Sequence, residues 1–175
     1  ADSVIYSVGK RIDFGTSLED GPFKDTGLAK AYRLAKAAKQ GEVAMVDFES
    51  YIPADGAQAL FMATPIFIDG SMEGVIVIQI PNNEINRVMT SEKQWASTGS
   101  GGTGETYLVG NDGTLRSETR TMIENKKDYL SFLASEDTDS KIMKQIEIFD
   151  SGIGLHRIDT NSAHAAANGE EGEVI

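Results

Sequence analysis

A chain of 175 residues with 40% hydrophobic and 25% charged side chains is long enough for one ordinary domain or two small ones, and its balance is that of a folded chain. Its net charge of −11, from 27 acidic against 16 basic residues, argues against a nucleic-acid partner, whose phosphates need a concentrated basic surface, and against docking on anionic lipid. The absence of cysteine excludes disulfides and thiolate chemistry and fits the cytoplasm and a bacterial periplasm equally.

The chain opens on a β-prone run, Ser3–Val8, followed by a loop over Arg11–Asp25 rich in Gly, Asp and Pro. A helix comes next. Asp25 or Thr26 can cap it, Leu28, Ala31, Tyr32, Ala35 and Ala38 form its apolar stripe, and Gly41 ends it. Its other face carries Lys30, Arg33, Lys36 and Lys39, a pattern that reads as solvated helix surface.

Three strands follow. Val43–Glu49 alternates, with Ala44, Val46 and Phe48 on one face and Asp47 and Glu49 on the other. Gln58–Ile68 is apolar apart from Thr64 and Pro65, and Gly74–Ile80 is mostly β-branched. Ala54-Asp55-Gly56 and Asp69-Gly70-Ser71 supply turn chemistry, and links this short join antiparallel neighbours. Pro65 cannot donate to a ladder, so it belongs at an edge or a bulge.

Pro81-Asn82 opens a second helix, with Ile85, Val88, Met89 and Trp95 at helical spacing as far as Ser97-Thr98-Gly99. The glycine-rich run Thr98–Gly104 reads as a hinge. A strand pair, Glu105–Val109 and Thr114–Ser117, closes through an Asn111-Asp112-Gly113 turn. Helical segments follow near Asp128–Ala134, Ser140–Phe149 and Ser162–Ala167, the middle one with Ile142, Met143, Ile146 and Phe149 on one side. This divides the chain into residues 1–97 and 98–175, the second part short of strands to close a sheet. A strand begins at Glu173-Val174-Ile175, so the chain reads as a piece of a longer protein. Its longest apolar run, Ala59–Ala63, is far below a membrane span.

Few constellations carry chemistry. Gly99–Gly104 matches G-x-G-x-x-G, but it follows a helix and precedes a strand, the reverse of the order in which amides at a helix start receive a pyrophosphate. His156 and His164 lack metal-ligand spacing, and Asp137-Thr138-Asp139 lacks the glycine and glutamate of a calcium loop. Asp47 and Glu49 are paired carboxylates on a strand, where such residues usually face water. No catalytic residue, metal or cofactor is expected.

More informative are Asp47, Tyr51, Thr64 and Gln79 among apolar strands, with Phe14, Phe23 and Tyr32 from the loop and helix that cover them. An apolar cavity with a few convergent polar groups suits a small ligand, and the same residues equally make an ordinary core with satisfied edge polars. The candidate site has Phe14, Phe23 and Tyr32 as apolar walls and Asp47, Tyr51 and Thr64 as orienting groups. Asp47 suits a cationic or hydroxylated ligand, or anchors the Arg11–Asp25 loop through backbone amides.

Val4–Lys10, Asp13–Leu18, Gly21–Leu28 and Asp47-Phe48 with Tyr51 and Pro53 resemble the extracytoplasmic sensor region of bacterial methyl-accepting chemotaxis proteins. Thr103–Gly110 with Arg116-Ser117 resembles the start of the second module in such double Cache sensors. The resemblance covers most of residues 4–117. It implies a PAS-like α+β fold, an antiparallel sheet with flanking helices followed by a second, incomplete Cache-like module. It also implies a small-molecule site on the sheet, no catalysis, and a periplasmic position in a membrane-anchored parent, with a homodimer left open. Related regions precede membrane-bound nucleotide cyclases and histidine kinases. A dimerisation or transmission module without a ligand is the remaining alternative.

Overall fold

The computed structural model describes residues 2–95 and 97–172, so the strand expected to begin at Glu173 lies outside the described residues. The chain falls into two compact units, Ala1–Pro81 and Asn82–Ile175, and the boundary expected after residue 97 falls inside the second.

The first unit is an antiparallel meander: β1 (Ala44–Ser50), β2 (Gln58–Ile68) and β3 (Ser71–Pro81) pair in that order. The short links dictate this. Asp55 and Asp69 both take left-handed backbone (φ 57° and 50°), each followed by a glycine with positive φ. Pro65 sits in the middle strand, yet beyond the Ala44↔Ala63 pair where β1 begins and next to a bulge at Ile66/Phe67, so it interrupts no three-stranded ladder.

Helix α1 (Gly27–Lys36) covers one sheet face. Small residues allow this: Ala31 and Ala35 are buried against Tyr51, Ala59, Phe61 and Ala63. Thr26 stands at the N-cap, but its hydroxyl turns back to donate to the Phe23 carbonyl (2.7 Å). The basic face is not simply solvated. Lys30 pairs with Glu49 on β1 (2.6 Å), Arg33 donates to the Leu18 and Lys24 carbonyls (3.1 and 2.9 Å), and Lys36 reaches Asp2 and Glu19 (2.9 and 3.3 Å).

Two expectations for this unit are corrected. A bulge between Val46 and Glu49 breaks the expected alternation of β1. Glu49 therefore faces α1 opposite Ala59, where the regular pattern would turn it away. Ser3–Val8 is not a strand: Ser3 makes one bridge to Ser17, Val4 exchanges bonds with Thr16 and Gly15, and Ile5 and Val8 are 86% and 90% exposed. Its β-prone side chains meet a loop rather than a sheet edge.

The second unit is built from helices: α2 (Asn82–Met89), α3 (Arg120–Glu124), α4 (Lys126–Ser135), α5 (Ser140–Phe149) and α6 (Asn161–Ala167). Thr119, Asn125, Asp139 and Thr160 cap the last four through side-chain oxygens. Met122, Tyr129, Leu133 and Ile146 form its core, with Ile142 and Met143 packed against them. Phe149, expected on that stripe, is 40% exposed because α5 ends there and Asp150 turns left-handed (φ 51°). The expected hairpin shrinks to one bridge, Val109↔Leu115, around a turn in which Asp112 accepts the Thr114 amide (2.9 Å). Leu115 and Thr114 instead find partners at His156 and Arg157.

The second expected helix also stops early. After Met89, Ser91, Glu92 and Lys93 take positive φ in succession (48°, 58° and 66°), each at a cost of about 1–2 kcal/mol. The Thr90 hydroxyl accepts the Lys93 amide (3.3 Å), a local bond that competes with helix continuation.

The closeness of α1 to the sheet is testable at Gly27. A Cβ there would lie 2.7 Å from Glu49 Oε1 and 2.8 Å from Phe61 Cδ2. Gly27→Ala should therefore destabilise the protein by about 1–3 kcal/mol by chemical denaturation, overriding the helix preference for alanine.

Candidate functional site

The loop ahead of α1 is folded by its own turns and then fastened to the sheet. Thr16 donates through its amide and hydroxyl to the Asp13 carbonyl (3.1 and 2.6 Å), and Phe14 donates to the Arg11 carbonyl (3.0 Å). These turns aim the Asp13 side chain inward. Asp13 is 7% exposed, and its Oδ2 accepts the Tyr51 hydroxyl at 2.5 Å. Tyr51, itself 2% exposed, packs edge-to-face on Phe61 (5.0 Å between centroids). Arg11 extends the fastening by donating to the Pro53 carbonyl (3.2 Å). Burial, reinforced by the bond to Asp13, pushes the Tyr51 phenol well above its ordinary value, so it stays a donor.

The other carboxylate oxygen, Asp13 Oδ1, is buried with no hydrogen-bond partner. A buried acceptor left unmatched is uncommon and costs roughly 1–3 kcal/mol.

The six residues expected at the site do not converge. Tyr51 and Phe23 are buried. Phe14 is 46% exposed. Tyr32 donates its hydroxyl to Asp2. Asp47 lies exposed in the β1 bulge, where it accepts the amide of Phe48 (2.7 Å). Thr64 points to the sheet face opposite α1, since Ala63 and Pro65 beside it are buried, and it donates to the Glu42 carbonyl (2.8 Å). Asp13 was not among the candidates. An aspartate in a Gly/Asp-rich loop looks like turn chemistry, and its bond to a tyrosine 38 residues away leaves no local pattern.

The second unit holds a separate buried polar cluster. Glu118 accepts the Ser151 hydroxyl (2.5 Å) and the Gly152 amide (3.1 Å to Oε2), while Tyr129 Oη and His156 Nδ1 lie 2.8 Å apart. Burial pushes the Glu118 carboxyl up, partly countered by the Ser151 and Gly152 donors, and Asp150 adds a like charge. Burial pushes His156 down.

The glycine run is similarly engaged. The Gly101 and Gly104 carbonyls accept from Arg120 (both 3.1 Å), so carbonyls face a cation where a phosphate cradle would present amides. His164 pairs with Asp159 (2.6 Å), and no metal-binding group of three or more His, Cys, Asp or Glu occurs among the described residues. Surface hollows of about 490 and 330 Å³ lie in this unit, the first around Met143 and Lys144, the second around Asn86, Arg87 and Lys93.

The buried cluster has a pH consequence. His156 prefers to stay neutral when folded, so its contribution is lost as pH falls through about 6.5, the unfolded value. Glu118 is opposite: its raised folded pKa adds stability as pH falls towards its unfolded value. Melting midpoint against pH should therefore be flatter for His156→Phe and steeper for Glu118→Gln than for the parent between about pH 7 and 5.

No protein-family profile matches the chain, and no curated protein does. Among solved structures, the chain is similar to the ligand-binding domain of the Pseudomonas fluorescens chemoreceptor CtaA in complex with L-serine. That match has 17% identity and a TM-score of 0.42 over 64% of this chain and 40% of that one. The same domain in complex with L-valine matches at 17% identity and a TM-score of 0.36, over 51% and 36% of the two chains. This chain thus spans less than half the length of either.

Proposed function

We propose that this chain is the extracytoplasmic small-molecule-sensing part of a membrane-anchored signalling protein of the chemotaxis-receptor type, and that it catalyses no reaction. The observation that carries the reading is Asp13: a carboxylate 7% exposed, held at one oxygen by Tyr51 and unmatched at the other, beneath the loop ahead of α1. A ligand's N–H or O–H donor would satisfy Oδ1 when the loop admits it. The resemblance of residues 4–117 to Cache sensors points the same way, with residues 1–97 as the sensing module and 98–175 as the start of a second. No described helix is long and apolar enough to cross a membrane.

In this reading the ligand itself brings Phe14 and Asp47, both exposed without it, against the buried Phe23 and Tyr51. Tyr32 and Thr64 hold Asp2 and the Glu42 carbonyl and take no part.

A second reading, a dimerisation module, has its own support. The sheet face turned from α1 carries Met45, Ile76 and Ile78 at 63%, 51% and 58% exposure, an apolar strip of the kind that marks interaction sites. Sedimentation across a concentration series separates the readings, since a monomer at every concentration removes the second.

The sensor reading is checked by thermal shift against a panel of small polar metabolites, amino acids included. A ligand at 100 times its Kd should add roughly 2.7 kcal/mol of stability. Asp47→Asn should weaken that ligand by ~1.5–3 kcal/mol with little change in unliganded melting. A panel without any stabilising member contradicts the proposal.

A further inference from the structure

We propose that Thr90–Gln94 is a two-state joint, bent in this structure and able to continue α2 as regular helix to Trp95. From Asn82 to Trp95 the sequence contains no glycine or proline, and Glu92, Lys93 and Gln94 are good helix formers. Trp95 lies seven residues after Val88, on the same helical face. The local bond favouring a stop is slight, the Thr90 hydroxyl accepting the Lys93 amide at 3.3 Å. The chain nevertheless places three successive non-glycine residues in left-handed backbone, at φ 48°, 58° and 66°. Strain of this kind persists only where surrounding contacts impose it, and it gathers at switch regions.

The contacts that impose it are specific to the bend. Arg87 reaches Glu92 at 3.1 Å, five residues on, a separation that does not face itself on a regular helix. The pair Arg87–Glu84, at 3.2 Å and three residues apart, survives in either state. Trp95, 6% exposed, lies under the Arg120 guanidinium at 4.8 Å, and Arg120 also holds the glycine loop through the Gly101 and Gly104 carbonyls. Straightening would break Arg87–Glu92, draw Trp95 from beneath Arg120 and relieve three left-handed residues. Each state thus has contacts or conformational ease that the other lacks, which makes an element bistable. This inference stands whether or not the first unit binds a ligand.

Trp95 is the chain's one tryptophan, so its fluorescence reports the joint without labelling. In the full chain, Lys93→Val places a β-branched residue where φ is 66°, which should disfavour the bend. The expected result is a red-shifted Trp95 emission, increased far-UV helicity and retained cooperative melting. Ser91→Gly with Lys93→Gly should do the reverse, leaving emission unchanged and raising the melting midpoint by about 4 °C or more, because glycine accepts positive φ freely. Unchanged emission and helicity in Lys93→Val would overturn the proposal, as would lost helicity with non-cooperative melting. So would a lowered midpoint in the glycine pair.

Discussion

The hydrogen bond from Tyr51 to Asp13 is the constraint that ties the loop ahead of α1 to the sheet. Burying a carboxylate is costly unless donors meet it, and here the Tyr51 phenol meets one oxygen of Asp13. The bond joins a loop to the end of β1 across 38 residues, and the packing of Tyr51 on Phe61 carries that anchorage into the sheet. Because Oδ1 stays unmatched, the anchorage is incomplete. A donor arriving from outside would complete it, and this links the fold's weakest polar account to its proposed function.

The helix over this site owes its position to what its side chains lack. Gly27, Ala29, Ala31 and Ala35 are all buried, so the backbone of α1 lies close to Phe61, while its charged face grips the loop and β1. Most of those ion pairs are exposed and individually worth little, about 0–1 kcal/mol each. Arg33 differs, since it donates to two loop carbonyls and so orders backbone as well as charge. The opposite sheet face has no such cover, and its isoleucines stand exposed.

The meander was legible because turn residues and strand runs are local signals: β2 spans Gln58–Ile68 as its apolar run indicates, and Asp55 and Asp69 turn where expected. What was not legible is non-local. The β1 bulge that turns Glu49 towards α1 depends on β2, and the loss of Ser3–Val8 as a strand depends on which edge it meets. Thr64 looked like a polar group beneath a pocket, yet strand parity, set by the burial of Ala63 and Pro65, sends it to the other face. Asp13 shows the same limit from the other side: its importance rests on burial and a distant tyrosine, neither of which a loop sequence displays. At Thr90 a local reading fails for a different reason, because contacts of Glu92 and Trp95 outweigh good helix formers.

The central claim is that the Tyr51–Asp13 bond ties the Arg11–Asp25 loop to the sheet, beside the Arg11 bond to Pro53 and the Arg33 and Lys36 contacts from α1. Hydrogen exchange on Tyr51→Phe tests it most directly. The account predicts that the Phe14, Gly15, Thr16 and Leu18 amides, which are bonded within and around the loop, lose protection while the β2–β3 ladder keeps its own. If loop and ladder lose protection together, or neither does, the loop is an inseparable part of the core and the claim is contradicted.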